Sequence, residues 1–104
     1  MADSHFPPEI VGLPAFDGPF DAFRLDADGC EVLFASYPAG TPIEPHRHPT
    51  NNVGVITAGR LVLTMNGEQQ TFGVGKWYHV PAAAEHAADF PEDSAEIEFW
   101  FVAD

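Results

Sequence analysis

Gly40-Thr-Pro-Ile-Glu-Pro-His46-Arg-His48-Pro-Thr-Asn-Asn52 carries the densest chemistry in this chain of 104 residues. In an extended backbone side chains alternate with period two, so His46 and His48 fall on one face. Both imidazoles can then reach a single cation, and imidazole is a ligand common to zinc, copper, iron and nickel. Pro42 and Pro45 hold the approach to His46 extended and stiff, which suits a rigid metal arm. Arg47, between the two histidines, is expected to face outward as a surface charge. Glu44 shares the parity of His46 and is a candidate acid–base group or substitute ligand, unless Pro45 disturbs that parity. A third histidine, His86, lies far enough along the chain to be brought in by folding.

The composition describes a packed domain of modest size: 45% apolar and 12% aromatic residues, enough for one core. Four basic residues face sixteen acidic ones, for a net charge of −12. That balance repels phosphate backbones and anionic membrane surfaces, so neither nucleic acid nor membrane is an expected partner. Solubility is the favoured account of the acidity. Cys30 is the one cysteine, cannot form an intramolecular disulfide, and reads as an inert thiol at a strand start. The first residues contain neither a basic cluster nor an apolar run, and no window reaches eighteen apolar residues. A cytoplasmic protein is the expectation.

In chain order, residues 1–20 hold Pro7, Pro8, Pro14 and Pro19 with Gly12 and Gly18. This density is expected to defeat a helix and to leave an extended arm, with His5 exposed and inert. Ile10, Val11, Leu13 and Phe16 would pack it across a sheet edge or onto a second subunit. The remainder, 21–104, reads as one β domain. Strands are expected at Phe20–Leu25, Glu31–Tyr37, Val53–Thr57, Arg60–Met65, Glu68–Phe72, Trp77–Val80, His86–Phe90 and Ala95–Val102. Asp26–Gly29 is a turn with the Asp-Gly signature of tight hairpins, and Asn66-Gly67 is the strongest hairpin signal, since both central residues of a type I′ turn need positive φ. In the last strand Ile97, Phe99 and Phe101 face one way, and Glu96, Glu98 and Trp100 the other. Eight or nine short strands with regular turn signals and no helical period imply an all-β sandwich or barrel.

Two motifs then give a specific likeness. Gly40, five residues, His46-Arg47-His48, three residues, position 52, six residues and Gly59 resemble the first signature of the cupin superfamily. Gly75, five residues, Pro81, Ala82, Ala83, two residues, His86, three residues and Phe90 resemble the second. The resemblance implies a small jelly-roll barrel (a double-stranded β-helix) with His46, His48 and His86 as ligands of one divalent transition metal. Iron, nickel, zinc and manganese all fit such a set. Three positions depart from the pattern: Asn52 replaces a glutamate ligand, Ala83 a glycine and Phe90 an asparagine. Without that glutamate the ion would keep its full formal charge and attract an anionic ligand. Asn52 is left as a weak carbonyl ligand or a hydrogen-bonding neighbour of a metal-bound water. Some cupins, thiol and diketone dioxygenases among them, use three histidines without the carboxylate.

The expected function is therefore a metal-binding cupin acting on a small anionic molecule by dioxygenase, isomerase or lyase chemistry. A non-enzymatic binding or sensing barrel is the alternative, and so is a structural dimer with a vestigial interior. His79 is a candidate for the pocket mouth beside Glu44, against an ordinary structural role. Glu85 is expected to be solvated, and Tyr37, Tyr78, Trp77 and Trp100 to serve core or interface. Small cupins commonly dimerise, so a homodimer is expected.

Overall fold

The structure, a computed structural model, describes residues 6–102; His5 lies outside them. Nine strands follow a single helical turn, α1 (Pro8–Val11): β1 (Asp21–Ala27), β2 (Cys30–Tyr37), β3 (Thr41–His46), β4 (Asn51–Ala58), β5 (Arg60–Met65), β6 (Glu68–Gly73), β7 (Trp77–Val80), β8 (His86–Phe90) and β9 (Ser94–Phe101). They form two antiparallel sheets, ordered β1-β2-β9-β4-β7 and β3-β8-β5-β6. Both sheets close around one interior, the jelly-roll arrangement. Among the described residues no helix is long and apolar enough to cross a membrane.

The helical turn corrects the expectation for the arm. Pro8 sits at the first turn of α1, where the amide hydrogen it lacks would have had no partner. The prolines therefore start this turn instead of preventing it. Beyond Gly12 the arm runs along the free edge of β1, with the Phe16 amide donating to the Ala22 carbonyl and the Arg24 amide to the Pro14 carbonyl. Phe6 covers the outer face of β2 against Phe34. Phe16, Phe20, Tyr37 and Phe90 form an aromatic row that closes one end of the barrel, with Tyr37 stacked on Phe90 at 4.1 Å.

Alternation decides what faces inward. Leu33, Ala35 and Tyr37 of β2 enter the core, as do Leu61 and Leu63 of β5. Phe90, Leu33, Ile56 and Val80 are almost wholly buried, and each removes enough apolar surface from water to stabilise the fold by roughly 1.5–3 kcal/mol. β9 shows the opposite of a simple apolar interior. Glu96 and Glu98 are 2% and 5% exposed and lie inside, whereas Ile97 and Phe99 form the half-buried outer face.

Two turns show how local conformation selects residue type. Gly59 has φ of +70°, and a Cβ there would collide with Ser94 Oγ and the Asp93 carbonyl. Ala83 has φ of +65° without being glycine, at the position where the motif carries one. Its amide donates to the His48 carbonyl, and its own carbonyl accepts from Arg47. Gly59→Ala should cost roughly 2–4 kcal/mol from backbone strain plus collision, and Ala83→Gly should gain about 0.5–1 kcal/mol. Urea unfolding of the two variants against the parent checks both signs.

Candidate metal centre and chamber

Three imidazoles meet at one end of the barrel. β3 and β8 pair so that His46 stands opposite His86, and β5 places Met65 against His86 on the other side. His48 arrives from the loop between β3 and β4. The ligand atoms of the three lie within 4.8 Å of one another, and the ring centroids of His46 and His86 are 4.2 Å apart.

Each ring is oriented by its own neighbourhood. His46 Nδ1 lies 2.9 Å from the Glu44 carbonyl, His86 Nδ1 3.0 Å from the Ala84 carbonyl, and His48 Nδ1 3.3 Å from the Thr50 carbonyl. A carbonyl only accepts, so each Nδ1 carries the proton and each Nε2 presents a lone pair. This is the tautomer that metal-binding histidines need. Burial lowers the basicity of His48 and His86, their carbonyl contacts oppose it, and the neighbouring His46 adds to the lowering of both. The donor set thus fits one divalent transition ion.

Asn52 is buried beside them. Its Oδ1 accepts from the Thr50 hydroxyl at 2.7 Å, and its Nδ2 lies 3.3 Å from His48 Nε2. The amide therefore turns its donor side, which cannot ligate, toward the imidazoles. It is placed to hydrogen-bond an oxygen of whatever ligand sits there. The missing negative charge is not made up by this side chain.

The chamber behind the histidines encloses about 80 Å³. Cross-strand register sets its layers: Trp100 opposite Asn52, Glu98 opposite Gly54, and Glu96 opposite Ile56. Gly54 also faces Tyr78 on β7, and a Cβ at 54 would collide with that ring. Tyr78 turns inward because residue 54 has no side chain. The Trp100 ring lies 5.0 Å from that of His48, and its Nε1 donates to Glu98 Oε1 at 3.0 Å. Tyr37 donates to Glu98 and Tyr78 to Glu96.

Glu44 and His79 stand elsewhere. A bulge between Ile43 and His46 breaks the alternation, so Ile43 and His46 both line the chamber while Glu44 is exposed. His79 shares the outer parity of Trp77 and is exposed, whereas Tyr78 and Val80 line the interior. Arg47 is a surface side chain, as is Glu85, and the two pair at 3.4 Å across the loops that carry His48 and His86.

The groups that sequence reading passed over are Tyr37, Tyr78, Glu96 and Glu98. Their signal was the two-faced alternation of β9. Of the two faces of β9, it is the acidic one that the barrel encloses.

Burial, the first cause, drives the Glu96 carboxyl well above its ordinary range, and the neighbouring Glu98 pushes it further. Glu98 is raised by burial too, while its donors Tyr37 and Trp100 pull it back. A folded-state value above the unfolded one means that the folded chain binds more protons in that window. Stability then falls as pH rises from about 4.5 through the raised value. Glu96→Gln should remove that loss, so the variant gains on the parent as pH climbs above 5. Thermal unfolding from pH 5 to pH 8 measures it; parallel curves for the two proteins would contradict it.

Residues 33–103 match the family described as Cupin domain. The fold is similar to an RmlC-like cupin from Shewanella frigidimarina, at 19% identity, 97% of this chain, 93% of that chain and a TM-score of 0.79. It is also similar to KdgF from Halomonas sp., at 18% identity, 82% of this chain, 80% of that chain and a TM-score of 0.74. A structure of DMSP lyases matches at 19% identity with a TM-score of 0.72, over 81% of this chain and 48% of that one. A comparison with curated protein sequences returned no match. With both signatures in one barrel and the family match spanning most of its length, the chain belongs to the cupin family.

Proposed function

We propose that this cupin holds one divalent transition metal ion on His46, His48 and His86 and acts on a small anionic organic molecule in the chamber behind them. The observation that carries the reading is the common orientation of the three rings, each Nδ1 committed to a carbonyl and each Nε2 presenting its lone pair, that of His48 with the Asn52 amide 3.3 Å away. The ion, when bound, supplies Lewis-acid or oxygen-activating chemistry. The chain's own groups do the rest. Asn52 Nδ2 offers a hydrogen bond to an anionic oxygen, the Trp100 indole forms a wall, and the aromatic row at the far end keeps bulk water out. Iron, nickel, zinc and manganese suit three imidazoles alike, with availability deciding among them.

A homodimer in the cytoplasm is part of the same proposal. The outer face of the five-stranded sheet presents Trp77, Phe99 and Phe101 in stacked contact, with Trp77 58% exposed. Aromatic residues on a flat sheet face are what a second copy covers well. Light scattering should give twice the chain mass for the parent and the monomer mass for Phe99→Glu; a monomeric parent would refute the dimer.

Metal content tests the main reading. Protein purified without added metal and then exposed to excess zinc or iron should hold close to one equivalent after gel filtration, and His48→Ala less than a tenth of that. A parent that takes up less than a tenth of an equivalent would sink the metal reading.

A further inference from the structure

From the layering of β9 we infer that Glu96 and Glu98 act as a single acid–base pair on the ligand, which gives the site proton-transfer chemistry (isomerisation or β-elimination) in place of oxidative cleavage. The inference rests on the reading that the ligand occupies the histidine-lined chamber. Both carboxyls line the same chamber as the three imidazoles. They are among the most buried polar groups of the chain. Neither has a basic partner. Arg24, Arg47 and Arg60 are engaged on the surface with Asp26, Glu85 and Glu92, and no Lys or Arg lines the chamber among the described residues.

Two adjacent carboxylates without a counterion cannot both stay ionised in a low-dielectric interior, so the pair keeps one proton between them. The surrounding donors assign it. Glu98 accepts from Tyr37 and from Trp100 Nε1, two donors against the single Tyr78 hydroxyl on Glu96. Glu98 is thus the ionised member and Glu96 the proton holder, with Tyr78 donating to Glu96. A carboxylate has about four lone-pair sites. Its two donors, one on each oxygen, leave lone pairs free on Glu98, which lines the chamber.

The groups around the pair are Tyr37 from β2, Tyr78 from β7, Trp100 from β9 itself and the three imidazoles at the mouth; from β4 come Asn52, Gly54 and Ile56, none of them titratable. Burial beside the two carboxyls holds both tyrosines well above their ordinary range, so they remain donors. No other group in the chamber can both take and return a proton near neutrality without leaving the histidine cluster.

The step balances within the ligand and the pair. A C–H bond next to the ligand's carbonyl breaks, the proton forms an O–H bond on Glu98, and the electron pair is delocalised into that carbonyl. In isomerisation the pair returns the proton to a different carbon. In β-elimination a leaving group departs with its electrons from the neighbouring carbon, and the proton goes to solvent. The pair passes from one proton to two and back. No oxidant enters.

The test has two readouts, one of which needs no metal. Infrared spectra of the metal-free protein at pH 7 should show a buried protonated carboxyl band that Glu96→Gln and Glu98→Gln each alter, with circular dichroism unchanged. Zinc-loaded protein in heavy water should exchange the methyl protons of pyruvate, followed by proton NMR. Glu98→Gln should slow this exchange by roughly a hundredfold or more, as loss of a general base does, and should flatten its pH profile. A parent with no protonated carboxyl band, no exchange in the parent, or equal exchange in parent and Glu98→Gln overturns the inference. If His48→Ala exchanges as fast as the parent while Glu98→Gln does not, the metal reading fails and the acid–base pair stands.

Discussion

The site depends on three short contacts between imidazoles and backbone carbonyls. His46 is held by the carbonyl of Glu44, His86 by that of Ala84, and His48 by that of Thr50. In each case the partner is two residues away in sequence, so the local backbone orients the ring before any long-range packing is considered. Fixing Nδ1–H on a carbonyl fixes the tautomer and turns Nε2 toward the other two rings. The barrel then needs only to bring three such units together. The bulge in β3, the pairing of His46 with His86, and the hydrogen bond from the Ala83 amide to the His48 carbonyl do so. The strained left-handed Ala83 marks where this docking is tightest.

The second organising feature is a polar wall inside an apolar barrel. β9 lies in the middle of its sheet, and its inner face carries Glu96, Glu98 and Trp100. Two buried carboxyls are costly unless every oxygen finds a donor. Tyr37 and Trp100 donate to the two oxygens of Glu98 and Tyr78 to one of Glu96, and no described buried side-chain polar atom lacks a partner. Gly54 belongs to the same arrangement, because only an absent side chain lets Tyr78 reach Glu96. The wall of the histidine cluster is neutral at Asn52, and the Glu98 carboxyl lies two residues before Trp100 on β9.

Much of this architecture was legible in the sequence, for identifiable reasons. Turns written in Gly, Asn and Pro bounded the strands, and the Asn66-Gly67 hairpin stands where both residues take positive φ. The two spaced motifs led to the three imidazoles that the fold brings within reach of one another. What escaped were matters of facing. The sequence marked Pro45 as a candidate break in the parity of Glu44 with His46, but that a bulge forms there is settled only by the pairing of β3 with β8. The helical turn at Pro8 escaped because proline was read as a breaker, when its position in the first turn makes it a starter. Alternation in β9 gave two faces correctly, but the habit of placing phenylalanine inside conceals a strand whose glutamates line the cavity. That choice depends on tyrosines from β2 and β7, so it is a property of the assembled sheet.

X-ray absorption at the zinc edge of the loaded protein tests the central claim most directly, since it reads the ligands of the ion themselves. The account predicts a first shell of three imidazole nitrogens, completed by oxygen from solvent or a bound anion, and a loss of imidazole scattering in His86→Ala. A shell of oxygen alone, or one unchanged by His86→Ala, would contradict it.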